Sequence, residues 1–279
     1  TSNKRNKILK NILIYILIIS GLFFMLTPIV WLISSSFKHY SELTTLPLTL
    51  IPKEVDWMNY VEIFQKVPFG SYIKNSVIMA TYSTSIALII SSLAAYSISR
   101  FKFKMRKSFL NFILFSQMFP AILLIIPIFI YMNKAGLLGS YTGLMITYLT
   151  FILPFSTWAL TNFFDNIPQE LEEQAMVDGC GRIEALIKVV IPVAVPGLIS
   201  VSTYCFLTSW NEFIFAMVFM TKQSKWTLPV GLAQFSGQYG LDWGLLTAGG
   251  VITLIPATVV MLFLQRYLIE GLMAGAIKE

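Results

Sequence analysis

Charge is scarce in this chain. Only 12% of its 279 residues are Asp, Glu, Lys or Arg, whereas 56% are hydrophobic. A soluble domain carries about 25% charged residues. Half the usual polar cover is therefore missing, and the composition suits lipid as the solvent. Cysteine is almost absent. Cys180 and Cys205 are too few for a disulfide framework. Cys205 lies in an apolar run, where a small packed hydrophobe is expected. Cys180 lies in a polar segment with no second thiol nearby in sequence. The single histidine, His39, leaves too few ligands for a structural metal, and no cofactor is expected on this chain. No Gly-x-x-x-x-Gly-Lys-Ser/Thr phosphate loop occurs, so ATP hydrolysis would need another subunit. Nothing reads as a nucleophile–base pair, which makes an enzyme the weakest of the function classes. The net charge of +6 gathers at the flanks of apolar runs and forms no basic stripe with aromatics between, so nucleic acid is not an expected partner.

What is abundant is long apolar sequence. About 20 such residues cross roughly 30 Å of hydrocarbon at about 1.5 Å per residue. Six stretches qualify, at about 12–34, 76–98, 109–132, 142–164, 191–219 and 245–264. The chain therefore reads as all-α and polytopic, with six transmembrane helices. Pro120 and Pro127 predict a kink in the third span. Pro154 lies near the middle of the fourth, and Ser209-Trp210-Asn211-Glu212 interrupts the fifth. The first stretch follows Lys4, Arg5, Lys7 and Lys10, as a signal peptide would. It is longer than a signal's apolar region and has no clear small-x-small cleavage site, so it is read as a span.

Lys and Arg set the expected orientation. They crowd the N-terminus and the loop Arg100, Lys102, Lys104, Arg106, Lys107, whereas Lys134 alone follows the third span. The N-terminal segment 1–11, the loop near 99–108, segment 165–190 and the C-terminal tail 271–279 are thus expected in the cytoplasm. The permease-like body would occupy 12–270. Segment 36–75, with Trp57, Tyr60, Phe64, Phe69 and Tyr72, reads as an extracytoplasmic cap; its Lys38, Lys53, Lys66 and Lys74 weaken the charge bias without reversing it. Trp226 and Trp243 fall near expected interfaces, where amphipathic rings are favoured. No matching halves of an inverted repeat are visible.

The most informative segment runs from Asp165 to Pro192. Asp165 or Asn166 is expected to cap a short helix, Pro168 suits its first turn, and Glu170, Glu172 and Glu173 place negative charge at the positive end of the helix dipole. Leu171 and Ala175 share a face. Gly179 and Gly181 are expected to end the helix, and a second helical piece, about 182–190, leads to Pro192. On spacing alone, this is equally an ordinary solvated loop.

The same residues resemble the signature loop of bacterial ABC importer permeases: Glu-Ala-Ala, three residues, Gly, nine residues, Ile-x-Leu-Pro. The sequence reads Glu173-Gln174-Ala175, then Gly179, then Val189-Val190-Ile191-Pro192, with both gaps intact. Gln174 replaces the middle Ala, adding bulk, while Val189 and Ile191 are mild aliphatic exchanges. Asp178-Gly179-Cys180 is similar to the Asp-Gly-Ala usual in the sugar branch. Pro28 to Lys38, Asn75-Ser76, Trp210-Asn211-Glu212-Phe213 and the tail Gly271 to Lys278 resemble the second permease subunit of maltose-type importers.

The resemblance implies a type I ABC importer permease fold, in the bacterial cell membrane. It implies a coupling helix, with Glu172, Glu173, Gln174, Ala175, Met176, Asp178 and Gly179, that docks on a cytoplasmic ATPase. The implied partners are a second permease subunit (usually making a heterodimer), two ATPase subunits that use ATP and Mg, an extracytoplasmic solute-binding protein and a sugar. Gly275, Ala276 and Lys278 would form a weaker tail contact to the ATPases.

Sugar recognition needs flat rings and amides or hydroxyls. Tyr148, Phe151, Trp158, Tyr204, Trp210 and Asn211 are candidates, each with membrane-helix packing as its alternative. Glu212 is costly inside a membrane unless paired or hydrated. It reads either as a pathway or gate residue, or as a structural partner of an outer-loop Lys. An ABC permease for another solute and an ion-coupled secondary transporter remain the alternatives, although Glu212 is the only evident midplane ion ligand for the latter.

Overall fold

The computed structural model describes residues 2–236 and 242–276, with side chains throughout except 2–6, 8–9 and 265–276. Every regular element among them is helical: α1 (Ser2–Ser36), α2 (Tyr40–Thr44), α3 (Met58–Lys66), α4 (Phe69–Arg100), α5 (Arg106–Ser116), α6 (Ile125–Lys134), α7 (Tyr141–Asp165), α8 (Glu170–Val177), α9 (Arg182–Ala185), α10 (Ile191–Val193), α11 (Val195–Trp210), α12 (Ile214–Phe219), α13 (Leu228–Ala233) and α14 (Trp243–Ala276). Four of these helices are long and apolar enough to span a membrane, over Lys10–Ser36, Phe69–Arg100, Tyr141–Asp165 and Trp243–Leu264. Two bent pairs bring the total to six if each makes one span.

The bent pairs correct two sequence expectations. The third stretch is broken rather than kinked: Arg106–Ser116 and Ala121–Lys134 meet at 87°. Pro120 sits at the break, whereas Pro127 lies in the first turn of α6, where its missing N–H leaves no intrahelical bond unmade. The fifth stretch is not continuous either. Arg182–Val193 and Val195–Trp210 turn through 83° at Ala194, and Asn211–Phe213 separates α11 from α12. The second span begins at Phe69, earlier than the predicted 76.

The chain forms two compact units. The first comprises Thr1–Pro68 and Leu232–Leu254. Most of the apolar side chains of α1 from Ile12 to Ile33 are exposed, as on a helix solvated by lipid or covered by a partner. Beyond α1, the segment predicted as a cap is knitted together by Asn59. Its amide donates to the carbonyls of Ser36 and Lys38, at 3.0 and 2.9 Å. Phe37 packs on Trp57 and Tyr60, with ring centroids at 4.7 and 5.2 Å. Lys38 is fully buried; its ammonium lies 4.8 Å from the Trp31 ring and donates to the Thr49 carbonyl. Glu42 accepts from the Thr49 hydroxyl at 2.6 Å and from the Lys53 N–H at 3.3 Å. Those bonds, the Thr49 one first, hold its carboxyl below the ordinary carboxylate range.

The second unit comprises Phe69–Gly231 and Ile255–Glu279. Its centre is α4, α7 and α11. The face of α4 buried there is built from small side chains, Ala80, Ser83, Ala87, Ser91 and Ala95, spaced three or four residues apart. Small residues let helix backbones approach closely in a membrane. Gly197 on α11 serves the same purpose, because a Cβ there would come within 2.5 Å of the Phe163 ring. Cys205 is buried against Ser156, with Sγ and Oγ 3.1 Å apart, in keeping with its reading as a packed hydrophobe.

At the N-terminal end of α4, buried Asn75 ties down the segment that follows α12. Its amide donates to the carbonyls of Ser224 and Trp226, each at 2.9 Å, and its oxygen accepts from the Tyr141 hydroxyl at 2.7 Å. The Ser76 hydroxyl accepts from the Leu228 N–H at 2.7 Å.

Candidate functional site

The loop between α7 and α11 is built around α8. Gln169, not Asp165 or Asn166, stands at the N-cap of α8 and offers no side-chain cap. Asp165 fails to cap because its carboxylate is already engaged: it accepts from the Ser99 hydroxyl at 2.6 Å and pairs with Arg106 at 2.5 Å. Asn166 instead donates to the Asn162 carbonyl at 2.8 Å. The other end matches expectation. Gly179 has φ +95°, the Cys180 N–H bonds the Ala175 carbonyl at 3.0 Å, and the Gly179 N–H bonds that of Met176 at 3.1 Å. This is the glycine-dependent helix stop in which two successive N–H groups satisfy carbonyls of the last turn. Gly181, at φ −73°, opens α9 rather than closing α8, a conformation that any residue adopts.

The three glutamates of α8 divide. Glu170 and Glu173 are exposed, while Glu172 is 3% exposed. Glu172 points inward and pairs with Arg100 at the end of α4. Among the residues expected on the coupling helix, Glu172 is therefore not on the outward face of α8: its carboxylate is held inside the chain by Arg100. Around it, the Arg100 guanidinium also donates to the carbonyls of Phe164 and Ile167, at 3.0 and 3.3 Å. The Tyr96 hydroxyl reaches the Arg182 carbonyl at 3.4 Å, and the Arg182 guanidinium lies 5.1 Å from the Phe101 ring. The last turn of α4 thus holds both flanks of the loop.

What remains outward is a mixed surface. Glu170, Glu173, Gln174, Asp178 and Gly179 are exposed beside Leu171 and Val177, the latter 87% exposed. Ala175 and Met176 are half-buried. Ile183 and Ile187 add apolar area next to the Glu184–Lys188 pair, closed at 2.5 Å. Carboxylates around exposed aliphatic groups suit a partner cleft that is apolar inside and basic at its rim. Sequence reasoning missed Arg100 as part of this site. The only signal was its place in a cluster of basic residues, which was read as orientation.

The predicted pathway residues do not form one site. Tyr148 and Phe151 fall in one aromatic cluster with Phe215, whose ring lies 5.0 Å from that of Phe151. Tyr204 packs on Phe155 at 4.2 Å, and Phe155 on Trp158 at 5.9 Å, in a second cluster. Trp210 is buried and stacked on Phe206 at 5.9 Å. Asn211 is exposed and donates to the Leu207 carbonyl at 2.9 Å. The two oxygens of Glu212 accept from the N–H groups of Phe215 and Ala216, at 2.8 and 3.0 Å. It caps α12, a short helix starting beside a break in the chain. The Tyr148 hydroxyl is buried beside Glu212 without a hydrogen bond of normal geometry. In the tail, Gly275 and Ala276 lie in the last turn of α14, and Lys278 lies outside the described residues.

Four to six apolar helical spans define a polytopic membrane fold, and comparison with known proteins says which class. The fold matches a bacterial ABC transporter involved in the import of the acidic polysaccharide alginate, with a TM-score of 0.82, 26% identity, and coverage of 95% of this chain and 98% of that one. A bacterial alginate ABC transporter in complex with an alginate pentasaccharide-bound periplasmic protein shares the fold, with a TM-score of 0.67, 19% identity, and coverage of 94% and 93%. Residues 87–273 match the family described as binding-protein-dependent transport system inner membrane component. The chain belongs to that family. It is 38% identical to the trehalose/maltose transport system permease protein MalG of Thermococcus litoralis, over 98% of this chain and 99% of that protein. It is 36% identical to the sulfoquinovosyl glycerol transport system permease protein SmoH of Agrobacterium fabrum, over 94% and 91%. The chain is accordingly a membrane permease component of an ABC importer and not an enzyme.

Proposed function

We propose that this chain forms half of the translocation path of an ATP-driven carbohydrate importer. In this reading α8 and its flanks, residues 165–190, dock on a cytoplasmic ATPase subunit. The observation that carries it is the α8 surface itself. A stiff short helix presents Glu173, Leu171 and Val177 outward, is stopped at Gly179, and is fastened from behind by Arg100. Transmitting motion requires such a rigid element, and a loose loop would absorb the displacement. Exposed Glu173, Gln174 and Asp178 with Gly179 are the assigned docking residues, with Ala175 and Met176 supporting them.

The carbohydrate assignment draws on relatives named for trehalose/maltose and sulfoquinovosyl glycerol transport. The working complex would contain a second, different permease, two ATPases that bind ATP and Mg, and an extracytoplasmic binding protein. Both termini would lie in the cytoplasm, with segment 1–11 before the permease body 12–270 and tail residues 271–279 after it. The Tyr148–Glu212 neighbourhood is the better of the pathway candidates, since it places a carboxylate beside a buried hydroxyl without a hydrogen bond of normal geometry.

Co-purification tests the reading. The chain should bring down an ATPase, a sister permease and a binding protein, and one sugar class should stimulate ATP hydrolysis in the reconstituted complex. Uptake that survives ATP depletion but collapses with the ion gradient would replace this reading with an ion-coupled transporter.

A further inference from the structure

Arg100 ends α4 with its side chain only 6% exposed. Its planar fork carries five N–H donors. Nε and Nη2 meet the Glu172 carboxylate on α8, and Nη2 also reaches the Ile167 carbonyl at 3.3 Å. Nη1 donates to the Phe164 carbonyl at the end of α7, at 3.0 Å, and to the Ser99 hydroxyl at 3.1 Å. One guanidinium thus joins three helices. The Phe164 carbonyl also accepts the Ile167 N–H at 3.1 Å, so the guanidinium takes up its remaining acceptor capacity at the helix end, while Ile167 offers its carbonyl in the exit turn. A lysine ammonium, a compact point charge, lacks the fork needed to reach all of these acceptors at once.

We propose that Arg100 is a positioning residue for coupling: with Glu172 it forms the joint through which displacement of α8 is delivered to α4 and α7 together. The proposal rests on the docking role given to α8 above. A buried charge pair is weak evidence of stability, because apolar replacements often serve as well. Its value here is geometric. It fixes α8, whose other residues are exposed or half-buried, to both long helices, whereas the flanks of the loop are held separately by buried Ile167, Leu186 and Val190. Asp165, held by Arg106 and Ser99, braces the same junction from a partly exposed position.

The test uses the full complex reconstituted in proteoliposomes, reading uptake and ATP hydrolysis separately. The double variant Arg100→Gln/Glu172→Gln removes both charges, so no ion is left buried alone. Arg100→Lys keeps the ion pair and removes the fork. Both are expected to accumulate with their ATPase bound and to transport about tenfold less solute per ATP hydrolysed. A wild-type ratio in either accumulated variant overturns the joint. Failure of both to accumulate assigns the pair to folding alone and overturns it too. If the unmodified chain binds no ATPase, the importer reading falls and the joint falls with it. If the unmodified complex couples normally and so do the variants, only the joint falls.

Discussion

The two ends of α4 are fastened by opposite chemistries. At Asn75 the contacts are neutral: one amide reads two carbonyls and a phenol, and Ser76 takes an N–H. At Arg100 the contact is a buried ion pair backed by carbonyls. The two residues are about 38 Å apart along the helix at 1.5 Å per residue, more than the roughly 30 Å of hydrocarbon. A span of that length reaches from one interface to the other, with Asn75 gripping the segment after α12 and Arg100 gripping α8 and the end of α7. Neutral hydrogen bonds fail gradually, one bond at a time. A buried ion pair fails abruptly, because losing one member strands the other charge. The α4 strut is thus tolerant at the Asn75 end and all-or-none at the end that holds α8.

That contrast is broken or sharpened by substitution. The largest effect is expected for Arg100→Ala, which leaves Glu172 buried and unpaired. A loss of about 3–5 kcal/mol should appear as sharply reduced membrane accumulation and a lowered thermal transition in detergent. Asn75→Ala should cost less, about 1–3 kcal/mol, by stranding the Ser224 and Trp226 carbonyls and the Tyr141 hydroxyl. Hydrogen exchange should rise in 221–228 and not in α8. Equal losses at both ends would erase the distinction.

Gly179→Ala is a backbone test. A Cβ there meets nothing within 4 Å, so the cost comes from φ +95° alone. About 1–3 kcal/mol of local strain should fray α8 and lower ATPase-coupled uptake while leaving the spans intact by circular dichroism. Arg106→Ala removes a pair whose members are 34% and 35% exposed. It should change stability by less than about 1 kcal/mol, which separates the brace from the joint. The smallest expected effect lies in the other unit. Because Glu42 has a depressed pKa in the folded chain, its contribution is present above the ordinary carboxylate value and lost as pH falls through the lowered one. Hydrogen exchange over 42–53 should therefore increase only at acidic pH below about 4.

The sequence made the α8 loop legible because its marks are local. Glu173, Gly179 and Pro192 stand at fixed spacings, and the Gly179 stop is written in one residue. The inward turn of Glu172 was not legible. Glu170, Glu172 and Glu173 are alike in composition, and what separates them is an arginine 72 residues away. Hydropathy found the spans but not their direction. The apolar run through Ala194 hides an 83° turn, since a bent and a straight apolar helix have the same composition. The aromatic candidates were chosen by residue type, and residue type does not tell which rings face one another. Phe151 joined Phe215, whereas Tyr204 went with Phe155.

The central claim is that α8 is an outward-facing lever pushed by another subunit's ATP cycle. The most direct measurement is cross-linking from Val177→Cys, the most exposed aliphatic position of α8, in a Cys180→Ser background within the native complex. The account predicts an adduct with the ATP-hydrolysing subunit whose yield changes between nucleotide-free and ATP-bound states. Labelling of position 177 in intact cells by a membrane-impermeant thiol reagent, with no such adduct, would contradict it.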